Sequence, residues 1–437
     1  MKVAVAGTGY VGLVTGVVLA EIGHKVVCVD IDKDKIKKMQ RGISPIFEKD
    51  LEKLMLKNKE RLTYTTHYKS AYKDAEVIII GVGTPEKKDG SANLDYVFNV
   101  CGQIAESAEQ DIVVVIKSTV PIGTNGKLEK ILNDKKIFDI KIDVVSNPEF
   151  LAQGTAVRDT FYASRIVVGA ENEKANEVMK RLYEPLMKEP YNIPYLYMNR
   201  ESAEMVKYAS NNFLALKISY VNEIANLCEK VGANIEDVTK GMGYDNRIGN
   251  KFLRAGIGYG GSCFPKDTKA LYYLAKEFNY ELNIVKATIK VNELQKIKLF
   301  EMAKEDFGDN LRKKNVAILG LSFKPETDDL REAASIDMVK LLLDLDVKIG
   351  VYDPIAMDNF RKIYGKKVEY YNTIETAIRN KDIVFILTEW SDIVNFDLNK
   401  YEKLMKTPII YDGRNCYSLE RIKNTKIKYR SIGRESV

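Results

Sequence analysis

The chain opens on a strand, a glycine loop and a helix, and this opening limits its possible folds more than any other feature. Lys2–Ala6 is a run of small and β-branched residues; Gly7-Thr8-Gly9-Tyr10-Val11-Gly12 follows at once, and Val11–Ile22 then carries a helical pattern. Gly7 permits a tight turn, Gly9 lets a pyrophosphate approach the backbone, and Gly12 allows close helix–strand packing, with the free N–H groups of the helix start facing the phosphates. An acid, Asp30, closes the next strand about 20 positions on, where a carboxylate accepts from a ribose 2′-OH and repels a 2′-phosphate. The four features together predict a dinucleotide site for NAD rather than NADP.

Strand candidates continue at Lys25–Asp30, Val77–Gly81, Ile112–Ile116, Ile142–Ser146 and Ile166–Gly169, with helical stretches such as Asn125–Leu132 between them. Several are apolar without alternation, as parallel strands covered on both faces are. The pattern changes near Asn199. Asn199 to Val231 reads as one long helix with Asn199 as N-cap and Gly232 as its stop. Its apolar positions Ala203, Val206, Ala209, Phe213, Leu216 and Val221 recur near a 3.6 period, and more helix follows to about Asp306. The α/β pattern returns at Asn315–Gly320, Val347–Asp353, Ile383–Thr388 and Pro408–Asp412. KVAVAG is echoed by NVAILG, AEVIIIGVGTP by KDIVFILTEW, and the strand ending in Asp30 by one ending in Asp353. The fold class expected is α/β: two doubly wound, Rossmann-like domains, 1–198 and 307–437, joined by a helical middle, 199–306, that builds a subunit interface.

Composition excludes other classes. Lys and Arg number 67 against 61 Asp and Glu, a formal charge of +6 over 437 residues, with no basic tract that reads as a nucleic-acid arm. No apolar run reaches the roughly 18 residues of a membrane span. The N-terminus runs straight into a strand rather than a signal peptide, so a cytoplasmic, reducing compartment is expected. The five cysteines are scattered without a C-x-x-C pair and there are two histidines, so no metal site, disulfide framework or His-centred hydrolase is expected.

The remaining chemistry lies in short segments. Thr84 (GTP) and Thr119 (STVP) follow strands, where loops face the ligand crevice of an open sheet. In Gly260-Gly261-Ser262-Cys263-Phe264-Pro265-Lys266-Asp267, Pro265 suits a first helical turn and sets Cys263 at the helix start. The helix dipole and Lys266 should lower the thiol's pKa, and Asp267 shares its face one turn on. Lys207 and Asn211 are spaced i, i+4 in an apolar context, where a desolvated lysine exchanges protons or stabilises an oxyanion. Glu149 opens the NPEFLAQG segment after a strand. Phe323 and Lys324 stand where the second half lacks the other fingerprint glycines, and Arg414 follows another strand end as an anion ligand.

Assembled, GTGYVG at 7, GVGTP at 81, STVPIGT at 118, NPEFLAQGTAVRD at 147, KYASNNFLALKISYVNEIANLCE at 207, RIGNKFLRAGIGYGGSCFPKD at 247 and LGLSFKPETDDLRE at 319 resemble the UDP-glucose 6-dehydrogenase family over nearly the whole chain. The resemblance implies an N-terminal NAD domain, a C-terminal UDP-sugar domain and a homodimer made by the central helix. It implies oxidation of UDP-glucose at C6 to UDP-glucuronate with two NAD and one water, by way of a Cys263 thiohemiacetal and thioester. By the same resemblance Lys207 and Asn211 hold the C6 oxygen, while Asp267, Thr119 and Glu149 form a water and proton network. Gly7, Gly9, Tyr10, Val11, Gly12, Asp30, Lys35, Thr84, Thr119, Gln153 and Arg331 meet NAD. The UDP-sugar is held by Glu149, Phe150, Leu151, Phe252, Leu253, Arg254, Ala255, Gly256, Gly260, Phe323, Lys324 and Arg414, and by Arg247 from the partner subunit. Gln153 stands where some members carry Glu, and so positions without taking a proton; Arg254 stands where some have Lys. The alternatives are a 6-dehydrogenase of another sugar nucleotide (UDP-N-acetylhexosamine or GDP-mannose) and a non-catalytic NAD-binding sensor, which would need a defective nucleophile or cradle.

Overall fold

The computed structural model describes residues 1–437 as two compact units, Met1–Ser210 and Asn211–Val437. In the first, β1 (Lys2–Ala6), β2 (Lys25–Val29), β3 (Leu62–Thr65), β4 (Val77–Ile80), β5 (Ile112–Ile116), β6 (Ile142–Ser146), β7 (Ile166–Gly169) and β8 (Tyr195–Met198) form one sheet in the order β3-β2-β1-β4-β5-β6-β7-β8. Every pair is parallel except β6–β7. The central strands are apolar throughout because helices cover both faces: IVVVI of β5 and VIII of β4 are wholly buried. β3 and β8 escape a sequence reading because they are short edge strands with mixed exposure.

The second unit repeats the topology. β9 (Asn315–Leu319), β10 (Lys348–Tyr352), β11 (Glu369–Tyr370), β12 (Ile383–Ile386), β13 (Ile409–Asp412) and β14 (Lys428–Ser431) pair in parallel in the order β11-β10-β9-β12-β13-β14. Its helical part comprises Ile235–Gly243, Phe264–Glu277, Asn283–Lys296 and Lys298–Phe307. The doubly wound α/β class is the one expected.

The central helix, Arg200–Val231, starts as its N-cap foretold: Asn199 Oδ1 accepts from Ser202 N at 2.8 Å. Its apolar periodicity is borne out in part: Ala203 and Val221 are buried, Val206 and Leu216 half-buried, and Ala209 and Phe213 exposed. The buried face also takes in Tyr208, Ala215, Ala225 and Cys228, and alongside these apolar residues it carries a polar stripe of Glu204, Lys207, Asn211, Asn212, Ser219 and Asn222. A helix buries such a stripe only where each group finds a partner.

Candidate active site

In the first unit, Gly7 has φ +93°, a conformation side chains resist, and a Cβ on Gly12 would meet the Gly7 carbonyl oxygen at 2.0 Å. The Tyr10–Glu21 helix begins with Gly9 as N-cap, without a side-chain cap, and nothing lies within 4 Å of where a Gly9 Cβ would stand. The first-turn N–H groups therefore open onto free space that fits a pyrophosphate. Val11 lies on this half-buried first turn, and Tyr10 OH donates to the Phe47 carbonyl at 3.1 Å.

Asp30 Oδ2 accepts from Thr8 N at 2.9 Å and Thr8 Oγ1 at 2.5 Å, and Oδ1 from Asp32 N at 3.0 Å. The carboxylate anchors the glycine loop to the end of β2 and keeps accepting capacity on Oδ1 for a ribose hydroxyl. Lys35, half-buried, sits in the first turn of the next helix. Thr84 Oγ1 donates to the Thr119 carbonyl at 2.9 Å, which joins the loops after β4 and β5. Buried Glu204 secures the second of these loops by accepting from Gly123 N, Asn125 N and Asn125 Nδ2. Burial pushes its carboxyl pKa up while these donors oppose the rise.

Lys207 is 3% exposed. Its Nζ donates to the Glu149 carbonyl at 2.8 Å and to Glu149 Oε1 at 3.0 Å, and lies 5.5 Å from the Phe150 ring centre. Arg165 covers the same ring at 3.9 Å. Glu149 Oε2 accepts from Leu151 N, so the segment after β6 is folded around its own carboxylate. Gln153 is buried in that segment.

In the second unit Cys263 is exposed at the N-cap of the Phe264–Glu277 helix, with Pro265 in its first turn. The Ser262 hydroxyl lies 3.7 Å from its sulfur. Burial pushes the Cys28 and Cys101 thiols up to about 12 and the Cys416 thiol higher still, which leaves them unreactive as nucleophiles. Asp267 is 1% exposed; its Oδ2 accepts from Asn211 Nδ2 at 2.6 Å and its Oδ1 from Lys266 Nζ at 2.6 Å. Lys266 thus shares its charge with a carboxylate rather than spending it on the thiol alone.

A cleft is lined by Asn222, Phe252, Arg254, Ala255, Gly256, Glu389 and Arg414 among others. Leu253 is buried. A Cβ on Gly256 would meet the Gly413 carbonyl at 2.9 Å, and one on Gly260 the Glu332 carbonyl at 2.4 Å, so the backbones touch there. Arg414 gives Nε to the Leu387 carbonyl, Nη1 to Gly258 and Nη2 to Phe323. It ties three loops together, and only its remaining N–H groups are left to face an anion. Arg254, whose side chain is 59% exposed, offers a freer guanidinium. Glu389 stands between them, 3.7 Å from Arg254 Nη1 and 3.4 Å from Arg414 Nε.

Lys324 lies over the Phe323 ring at 5.7 Å. Arg331 is bidentate to Asp329, and its carbonyl holds Gly261 N. Arg247 pairs only locally with Asp245 and projects outward, 89% exposed. Glu389, in LTEW at the end of β12, and Lys117, at the end of β5, are charged groups that the sequence reading missed. The signal for Lys117 was a charge directly after an apolar strand; Glu389, three residues past β12, carried no such signal.

The geometry agrees with the comparisons. The chain matches the UDP-glucose/GDP-mannose dehydrogenase family through its NAD binding domain at residues 1–187, its central domain at 201–294 and its UDP binding domain at 317–419. It is 49% identical to UDP-glucose 6-dehydrogenase YwqF of Bacillus subtilis, over 100% of this chain and 98% of that protein. A UDP-glucose dehydrogenase structure from Pyrobaculum islandicum superposes with a TM-score of 0.92 at 34% identity, covering 99% of this chain and 98% of that one. A UDP-D-ManNAc dehydrogenase from Pyrococcus horikoshii gives 0.87 at 26% identity, covering 99% of both. A glycine loop built for NAD, a buried lysine–glutamate pair and an exposed N-cap cysteine thus sit in a chain that belongs to the UDP-glucose/GDP-mannose dehydrogenase family.

Proposed function

We propose that the protein oxidises UDP-glucose at C6 to UDP-glucuronate in two NAD-dependent steps. One observation carries the reading: the central helix buries Lys207 on Glu149 and, one turn later, Asn211 on Asp267. Neither pair is needed by an apolar core; the first supplies a cation and a carboxylate and the second an amide and a carboxylate, groups suited to an oxygen that gains and loses charge.

Gly7, Gly9, Gly12, Asp30 and Thr84 hold the cofactor, with Tyr10, Val11, Lys35, Gln153 and Arg331 as further contacts. When bound, NAD would supply the oxidant, accepting one hydride from C6 in each step. Lys207 and Asn211 hold the C6 oxygen, and the O6 proton passes to the Lys207–Glu149–Thr119 network as C6 becomes an aldehyde. The Cys263 thiolate then bonds to C6, and the carbonyl electron pair goes to oxygen to give a thiohemiacetal. Loss of the second hydride equivalent and the hydroxyl proton leaves a thioester. Water, deprotonated with the help of Asp267, adds at C6; the C–S bond breaks, and carboxylate and thiol are released. The sulfur supplies the tetrahedral adduct from which a second hydride can leave C6.

Arg254, Gly256, Gly260, Lys324 and Arg414 form the diphosphate side of the cradle, with Phe252, Leu253, Ala255 and Phe323 as apolar walls and Phe150 and Leu151 near the sugar. The divisions at 198/199 and 306/307 belong to this proposal, as does a homodimer in which Arg247 reaches the partner's substrate. Phe213, Tyr220 and Leu227, spaced by seven on the central helix, are all exposed and support the dimer. A progress curve with UDP-glucose tests the reading. Two NADH per sugar and a product heavier by one oxygen and lighter by two hydrogens support it; no NADH overturns it. Faster turnover of UDP-N-acetylmannosamine or GDP-mannose would move the substrate assignment to that sugar nucleotide.

A further inference from the structure

The end of β5 carries a charge that this mechanism does not use. Lys117 directly follows IVVVI and turns inward, 7% exposed. Its Nζ donates to Asn147 Oδ1 at 3.0 Å and lies 3.5 Å from the Asn147 carbonyl and 3.4 Å from Tyr183 OH. Tyr183, from the Glu173–Met187 helix, donates to the same Oδ1 at 2.6 Å, and Asn147 Nδ2 donates to the Val167 carbonyl on β7 at 2.7 Å. Asn147 is where the chain leaves β6, and Glu149 is two residues on. Three elements therefore converge on the start of the segment that presents Glu149 to Lys207.

Lys117 touches the Asn147 amide and Tyr183, and the charges that act on it are the Glu149 carboxylate, two residues further along the same segment, and Lys207 on the central helix. Glu149 favours its charge and Lys207 opposes it. Two buried ammonium groups thus act on one carboxylate.

We propose that Lys117 is a charged positioning residue for the Lys207–Glu149 pair: it fixes the Asn147–Glu149 segment and, as a like charge, makes Lys207 release its proton more readily. This rests on the reading of Lys207 as a proton-exchanging group at the C6 oxygen. No bond changes at Lys117 itself. Its ammonium disfavours protonated Lys207, and the proton taken from the C6 hydroxyl is passed on sooner. Burial pushes the Lys117 pKa down to about 8, so the group is charged at neutral pH and loses its influence above that.

The test is the pH profile of kcat for the full-length protein with saturating NAD and UDP-glucose, wild type against Lys117→Met. Without the charge, the limb that requires a deprotonated group shifts to higher pH by about half to one unit. The deficit is about three- to tenfold on the acid side and disappears above the shifted limb, with the KM for NAD unchanged. Should the Met variant fail to fold, Lys117→Gln retains a donor for Asn147 Oδ1 without the charge, and the same shift is expected. A profile that keeps its wild-type position, with kcat lowered evenly or not at all, overturns the charge role. A wild type that produces no NADH overturns the reaction assignment and this role with it, whereas an active wild type with an unshifted variant overturns this role alone.

Discussion

Lys207 Nζ lies 2.8 Å from the carbonyl oxygen of Glu149 and 3.0 Å from its Oε1, with both side chains less than a tenth exposed. A pair buried this deeply adds little net stability compared with an apolar pair of the same size, but breaking it strands a charge. Lys207→Ala should therefore cost about 3–5 kcal/mol in denaturant unfolding. It should also lower kcat by about 10²–10³ through loss of the oxyanion partner. Glu149→Gln, which keeps an acceptor, should cost less on both counts. A Lys207→Ala enzyme with kcat within threefold of wild type would remove this residue from the chemistry.

Cys263 is exposed and contributes nothing to the core, so Cys263→Ser should leave stability within about 0.5 kcal/mol of wild type. Acid formation should fall on the order of 10³-fold or more, because a hydroxyl does not replace the thiolate as nucleophile. Mass analysis of the product and an NADH count read this directly. Retention of two NADH per sugar would disprove the covalent route.

Asp30 also braces the glycine loop, since its Oδ2 accepts both donors of Thr8. Hydrogen bonds to a charged group contribute about 1.5–3 kcal/mol, so Asp30→Ala should raise the KM for NAD by about ten- to a hundredfold and narrow the preference over NADP. Asp30→Asn keeps an acceptor for Thr8 and removes the repulsion, so it should narrow that preference at a smaller loss of NAD binding. Unchanged NAD affinity in Asp30→Ala would refute the ribose role.

Phe213 is 62% exposed, Tyr220 48% and Leu227 53%, all on one face of the central helix. If this face is the dimer seam, Phe213→Glu with Leu227→Glu should convert the sedimenting species from dimer to monomer. Arg247 would then lose its partner's substrate, and turnover should fall with the change in mass. A double variant that sediments as wild type would place the interface elsewhere.

Lys117 also predicts a pH dependence of stability. Its folded pKa is depressed to about 8 from the ordinary 10.5. Between those values the unfolded chain binds a proton that the folded chain does not, so stability rises with pH, and the charged lysine costs stability below pH 8. From pH 7 to pH 9 the wild type should gain about 1 kcal/mol relative to Lys117→Met in parallel denaturant melts. Equal pH slopes for the two proteins would contradict the depressed value.

The two halves show how far a motif can be read. Asp30 and Asp353 end equivalent strands, and from sequence the two look alike. Asp30 stays partly exposed with accepting capacity to spare. Asp353 is 2% exposed and saturated: Oδ2 accepts from Leu321 N, Ser322 N and Trp390 Nε1, and Oδ1 from Ile355 N and Ala356 N. One carboxylate keeps accepting capacity and the other braces a loop, and Trp390, 37 residues away, is among the donors that saturate it. Arg414, legible as an anion ligand, proves tied to three carbonyls for the same kind of reason.

The central apolar strands of both sheets, the cap at Asn199, the turn at Gly7 and the cysteine at a helix start were determined by the sequence alone, because each depends on backbone geometry within a few residues, whereas the edge strands β3, β8, β11 and β14 were not legible. Which face of the central helix is buried was legible only in part, since its apolar period picks out buried Ala203 and Val221 but also Ala209 and Phe213, which lie in solvent. The partners of Lys207, Asn211 and Lys117 belong to the tertiary structure. Lys207 meets a carboxylate 58 positions away and Asn211 one 56 positions away. Desolvation and charge pairing depend on what the folded chain brings within about 3 Å, and no local pattern encodes that distance.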